Sequence, residues 1–191
     1  MLKNLVKYNI ILASNSIRRR NLLKKLNLKF NIVNTSQKEN FPNSLKTNQV
    51  PIFLAEKKNN HIQIKNDQLI ITADTIVVLN QKILNKPKSK IEAFEMLNNL
   101  SKKQHRVITG VNIRTTKDNI SFSSETKVNF VQLSDDEIKY YINNYNYSDK
   151  AGSYGIQEWI GMIAVKKING CFYNVMGLPI SVLYQNLKKI S

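Results

Sequence analysis

Apolar runs short enough to be strands alternate with stretches of helical periodicity along this 191-residue chain, and that alternation restricts the fold more than any other feature. Asn9–Ala13 (NIILA) reads as a strand running into the polar turn Ser14, Asn15, Ser16. Residues 18–26 follow as a helix with Leu22, Leu23 and Leu26 on one face, and 30–33 as a second strand. Residues 35–48 are polar and read as a loop, and Pro51 suits the first turn of a helix running to about residue 60. Gln68–Leu79 (QLIITADTIVVL) is β-rich and broken by Asp74, with Asn80-Gln81 as a hairpin turn and Ile83-Leu84 as the return strand.

Ser89 to Glu92 and Ser134 to Glu137 each fit a capping box. The first opens a helix with Ala93, Met96, Leu97 and Leu100 inward, the second a helix to about residue 144. Residues 107–114, with Val107, Thr109, Val111 and Ile113 alternating on one face, and 121–133 read as strands joined at Lys117-Asp118-Asn119. Residues 146–155 form a loop with two glycines, 160–168 look like a strand ending at Asn169-Gly170, and Pro179 starts a last helix. With no internal repeat and no separating linker, residues 1–191 are expected to form a single α/β (mixed α+β) domain around a mixed sheet with flanking helices.

Lys+Arg is 29 against 13 for Asp+Glu, a net charge of +16, which raises a polyanionic partner as one explanation. The lysines are nevertheless dispersed in pairs, as compositional bias would scatter them, and no block of five or six like charges occurs. No uninterrupted apolar run approaches the roughly 18 residues of a membrane span, and the first apolar run is too short for a signal peptide. A single cysteine, Cys171, excludes a disulfide framework and a zinc cluster, and fits a reducing cytoplasm. Two histidines, His61 and His105, are too few for a His-rich metal site.

Four constellations could carry chemistry. Ser14, Asn15 and Ser16 lead into Arg18-Arg19-Arg20, three of the five arginines in the chain, at the start of a helix. Hydroxyls, guanidiniums and free helix N–H groups suit phosphate oxygens, although an N-cap serine with solvated arginines fits the same spacing. Asp74, inside an apolar β-branched run, must be paired, hydrogen-bonded or at a strand end facing a cleft, where it could hold a divalent metal or deprotonate a water; a turn Asp is the plainer alternative. Lys86-Pro87 holds a lysine in a short turn more firmly than a free surface lysine, although taken alone an ordinary surface turn is the plainer reading. Gln157 closes Lys150–Gln157 (KAGSYGIQ), and its amide offers an acceptor beside a donor. That pair matches the imide edge of uracil or thymine, and the same amide turned over suits cytosine. His105, just before a strand, reads as a structural hydrogen-bonding residue, and Trp159 and the tyrosines near 140–147 as core and rim packing.

Taken in order, ILASNSIRR at residue 11, TADTIVVL at 72, Lys86-Pro87, QHRVITGV at 104, KAGSYGIQ at 150 and NVMGLP at 174 resemble the Maf family, nucleoside triphosphate pyrophosphatases also described as septum-formation inhibitors. The resemblance spans nearly the whole chain. It implies a Maf-like, ITPase-like unit with a substrate cleft between two lobes, and hydrolysis of a nucleoside triphosphate to monophosphate and pyrophosphate with Mg²⁺ or Mn²⁺. Asp74 falls on the family's proton acceptor, and Arg18, Thr75 and Gln157 on its specificity positions, in the combination of the dTTP/UTP branch. Ser14, Arg18, Arg19, Lys58 and Lys86 fall on phosphate-lining positions; Glu39, with Asp74, falls where metal or water is contacted. The expected partners are dTTP and UTP, with modified pyrimidine nucleotides also compatible. No stable nucleic-acid partner and no membrane are expected, and a homodimer is allowed.

Three departures accompany the match. Ile17 replaces the usual Pro of the Ser-Pro-Arg-Arg motif, Asn85 replaces a common Gly, and Ser36 to Glu39 is less acidic than the usual segment, which implies weaker metal affinity if that segment holds metal. The competing class is a basic nucleic-acid-binding or partner-binding division regulator with no required catalysis. It lacks support from any helix-turn-helix, RNP-like or zinc pattern.

Overall fold

A computed structural model describes residues 2–35 and 39–191. Seven strands, β1 (Asn9–Ala13), β2 (Asn31–Val33), β3 (Gln68–Leu79), β4 (Lys82–Leu84), β5 (Gln104–Arg114), β6 (Asn119–Phe130) and β7 (Val165–Asn169), form one mixed sheet. Its order is β2-β1-β3-β5-β6-β7, with β4 paired to β3. The helices are α1 (Ile17–Lys24), α2 (Val50–Asn60), α3 (Lys90–Leu100), α4 (Asp135–Asn144), α5 (Trp159–Ala164), α6 (Phe172–Val175) and α7 (Ile180–Leu187). The backbone divides into two compact units: Met1–Asp74 with Thr109–Ser124 and Gly177–Ser191, and Thr75–Ile108 with Glu125–Met176.

In the first unit β1 lies parallel to both β2 and β3, with Ile11 opposite Asn31 and Ile70. Ile11, Ala13 and Ile70 form one small apolar cluster, against which Ile62 and Ile64 pack. Polar ties bind α2 to β3, among them Thr72 Oγ1 donating to Ala55 O (2.7 Å) and Asn59 Nδ2 to Ile70 O (3.3 Å). At Gly110 of β5 the strand meets the head of α2 so closely that a Cβ would run into the Pro51 carbonyl and Ile52 N.

The second unit holds a larger apolar core, built on Val77, Leu97, Leu100, Val128, Ile138 and Ile160 among others. The β3–β4 hairpin turns at Asn80 and Gln81, both with positive φ (47° and 66°). That pair of left-handed residues gives a two-residue turn the twist its strands require. Asn85 is not among the positive-φ residues, so the Gly-to-Asn departure there costs nothing on that account; its carbonyl accepts from Gly152 N (3.3 Å). His105 lies within β5 and is buried, its Nε2 2.7 Å from the Tyr154 hydroxyl and its ring edge-on to Phe130. Tyr140 packs on Trp159, and Tyr141 stacks on Tyr145.

Two local expectations fail. Residues 160–168 are not one strand: α5 occupies the first half and β7 starts at Val165. Gly161 lets the short helix lie against the Ile156 backbone, where any Cβ would collide. The capping box at Ser134 is complete, with Ser134 Oγ accepting from Glu137 N (3.3 Å) and Glu137 Oε2 from Ser134 N (2.7 Å). At Ser89 only half forms: Ser89 Oγ accepts from Glu92 N (3.1 Å), but the Glu92 carboxylate accepts from Lys88 N (2.7 Å) instead of Ser89 N. Among the described residues, no helix is long and apolar enough to cross a membrane.

Candidate active site

In the first unit β1 and β3 run parallel as neighbours, and β3 continues unbroken through Asp74 to Leu79, so Asp74, three residues past the last pair Leu12–Ile71, stands in mid-strand beside the carboxyl end of β1, where the Ser14–Arg19 turn leaves the sheet. That is where open α/β sheets place their ligands. Ser14 is buried, and its Oγ accepts from Ser16 N (3.2 Å). Ser16 is the N-cap of α1, accepting from Arg19 N (3.4 Å). The arginines then divide. Arg20 is structural: Nε and Nη2 donate to Ser14 O (3.4 Å each) and Nη2 to Asn34 Oδ1 (3.3 Å). Arg19 is turned by the carbonyl of Gly177, which accepts from its Nε (2.8 Å). Arg18 adjoins it closely enough for the two charges to repel.

Asp74 is 5% exposed and Lys58, from α2, 8%. Lys58 Nζ donates to Asp74 Oδ1 and to Glu39 Oε1 (3.0 Å), so one ammonium holds two carboxylates together. Burial pushes the Asp74 carboxyl above its usual range; Lys58 and then Arg19 pull the other way, and Glu39 adds to the rise. Burial lowers the Arg19 guanidinium from its usual value, while Asp74 favours its charge. The result is a carboxylate that is dry, paired and more basic than a solvated one.

The structure therefore brings together Ser14, Arg18, Arg19, Glu39, Lys58 and Asp74 within one unit. Ser36, Gln37 and Lys38, where the acidity departure falls, lie outside the described residues. The other sequence candidates belong to the second unit: Thr75 half-buried on β3, Lys86 exposed after β4, and Gln157 exposed before α5. Gly177, with φ of 107°, was missed as a positioning residue, because a backbone carbonyl 158 residues from its arginine leaves no side-chain signal. Among the described residues no group of three or more His, Cys, Asp or Glu could cage a metal. A two-carboxylate site remains: Glu39 and Asp74 already converge on a cation, and Mg²⁺ is commonly held by one or two carboxylates plus substrate phosphates.

The chain is similar to known proteins over nearly its whole length. The family model described as "Maf-like protein" matches residues 9–190. A dTTP/UTP pyrophosphatase of Parabacteroides distasonis is 50% identical over 191 residues, covering 98% of this chain and 99% of its own. The dTTP/UTP pyrophosphatase of Phocaeicola vulgatus is 49% identical over 193 residues, covering 100% of both chains. Among solved structures, a HAM1 protein from Coxiella burnetii overlaps 66% of this chain and 74% of its own, at a TM-score of 0.46 and 10% identity. The match from the first strand to the last helix, at about half identity to full-length relatives, settles the kinship: this chain belongs to the Maf family.

Proposed function

We propose that the chain is a nucleoside triphosphate pyrophosphatase that hydrolyses dTTP and UTP, and compatible modified pyrimidine nucleotides, to the monophosphate and pyrophosphate. The observation that carries the reading is the buried Asp74, raised in basicity, within the field of Arg19 and beside the carboxyl end of β1, the parallel neighbour of its own strand. The relatives' shared name supplies the substrates.

A polyanionic substrate must be neutralised before a nucleophile can approach it. Arg18, Arg19, Lys58 and Lys86 supply fixed positive charge, and Ser14 a hydroxyl, for the phosphate oxygens. Water attacks the α-phosphorus. The bond from that phosphorus to the bridging oxygen breaks, pyrophosphate leaves with the electron pair, and Asp74 takes the proton from the water. Glu39 shares the Lys58 ammonium with Asp74, which holds that cation from two sides. Glu39 and Asp74 are the residues that would hold Mg²⁺ or Mn²⁺. Such an ion supplies further charge neutralisation at the phosphates. Thr75 and Gln157 are assigned to the base. The lone half-buried cysteine fits a cytoplasmic protein.

The test is pyrophosphate release from a panel of nucleoside triphosphates with Mg²⁺ or Mn²⁺, beside a DNA-shift assay at physiological salt. Release that is fastest on dTTP and UTP is expected. No release from any nucleotide, with salt-steep DNA binding, would overturn the proposal in favour of the nucleic-acid-binding class.

A further inference from the structure

A second buried ionic network lies within the other unit, around a lysine that the catalytic proposal does not use. Lys150 is 5% exposed, and its Nζ donates to Asn146 O, to Asp149 Oδ1 (2.9 Å) and to Glu158 Oε1 (3.0 Å). The other oxygen of Glu158 accepts from the Tyr141 hydroxyl, which in turn accepts from Gly155 N (3.1 Å). Burial first, and then the Glu158 carboxylate, push the Tyr141 phenol well up, so it stays a donor. Glu158 is thus clamped from both sides. Its Oε1 also faces Gln157 Nε2 at 3.4 Å.

Gly155 carries an independent sign that this juxtaposition is built. A Cβ there would stand 2.7 Å from Glu158 Cδ, 2.8 Å from its Oε2 and 2.9 Å from Gln157 Nε2. The missing methyl is the room in which the carboxylate and the amide meet.

A carboxylate paired with an ammonium and a phenol can only accept. The amide nitrogen of Gln157 must therefore turn toward Glu158, and its carbonyl oxygen away. The outward edge then shows that oxygen beside the remaining N–H, in one order only. The oxygen can accept from the ring N–H of uracil or thymine while the N–H donates to the adjacent carbonyl. Cytosine has a bare ring nitrogen and an amino group at these positions, and needs the amide flipped. The flip would set the Gln157 oxygen against the Glu158 carboxylate.

We infer that Glu158, held by Lys150 and Tyr141, is a positioning residue that fixes the orientation of the Gln157 amide and thereby favours imide-edged pyrimidine triphosphates over cytosine ones. This rests on the assignment of Gln157 to the base.

The experiment measures kcat/KM for UTP, dTTP and CTP on the full chain and three variants. In Glu158→Gln the neighbour can donate or accept, so both amide orientations become available. The CTP:UTP ratio rises about tenfold, with the CTP value itself going up, which a merely structural loss would not produce. Gly155→Ala keeps every charge and wedges a methyl into the meeting point; it moves the ratio the same way, and serves if Glu158→Gln folds poorly. Gln157→Ala separates the two levels of the argument. If it leaves the ratio unchanged, Gln157 does not read the base and both assignments fall. If it changes the ratio while Glu158→Gln and Gly155→Ala do not, the base assignment stands and the positioning role of Glu158 is wrong.

Discussion

Each unit contains a buried lysine that gathers carboxylates, and the two lysines are used differently. Lys58 holds Asp74 and Glu39 where burial has made one of them more basic, beside Arg19. Lys150 is bound by a backbone carbonyl and two carboxylates, one of which is itself closed off by a phenol and, through it, a backbone N–H. The same ion-pair chemistry thus leaves one carboxylate with raised basicity in the first unit and one held from both sides in the second. Burial alone does not distinguish them; the number of saturated partners does.

The comparison is broken most directly at Asp74. Asp74→Asn is expected to lower kcat by about 10²–10⁴-fold with the circular dichroism of the fold unchanged. A variant that keeps near-parental turnover removes Asp74 from the chemistry. The rate of the parent protein should fall on acidification along a limb above the ordinary aspartate value, because only the deprotonated carboxyl accepts a proton. The two lysines are then exchanged for Met. Lys150→Met leaves the Glu158 carboxylate without its ammonium, and urea titration is expected to show a loss of about 3 kcal/mol. Lys58→Met should cost turnover before it costs stability, since Asp74 keeps the field of Arg19. If urea midpoints and rates respond alike in both, the distinction between the two lysines is lost.

Acid gives a further contrast. Burial lowers His105 to about 4 from 6.5, so the folded unit keeps it neutral. Between those values the unfolded chain binds the extra proton. Stability is therefore complete above the unfolded value and is lost as pH falls from about 6.5 toward 4, by up to about 3 kcal/mol. His105→Asn should flatten that slope in melts run across the range; an unchanged slope would assign the acid sensitivity elsewhere. The smallest effect is at Ile17, the first residue of α1 and 69% exposed. Ile17→Pro should add about 0.4–1 kcal/mol in thermal unfolding, because Pro suits that position and restricts the unfolded chain.

Much of this was legible in the residues, for identifiable reasons. The strand–turn–helix at Ala13–Arg19 declared itself through an apolar run, serines and leucines at helical spacing. Asp74 stood out because a charge inside a β-branched run needs a partner. The partner was less visible: Lys58 sits in a helix, and spacing alone does not point it at a strand 16 residues on. Strand β5 showed alternation on one face, yet Ile108 and Asn112 on the other are also buried, so the strand is covered on both faces and one-sided alternation describes only half of it. Helix α5 has six residues, too few for a period to register, and Gly161 within it lies against the backbone of Ile156. Lys150 and Glu158 gave no signal beyond their place in a motif, since their meaning lies in contacts closed only by folding.

Position 110 shows how far from the chemistry its control can lie. The hydrogen that glycine carries there lets β5 nest against the first turn of α2, and Lys58 rides on that helix. A single methyl would lever the helix outward and carry the ammonium off the two acids it joins. Substitution at this silent strand residue would then register as a protein with all its charges present and Asp74 parted from the ammonium that steadies it.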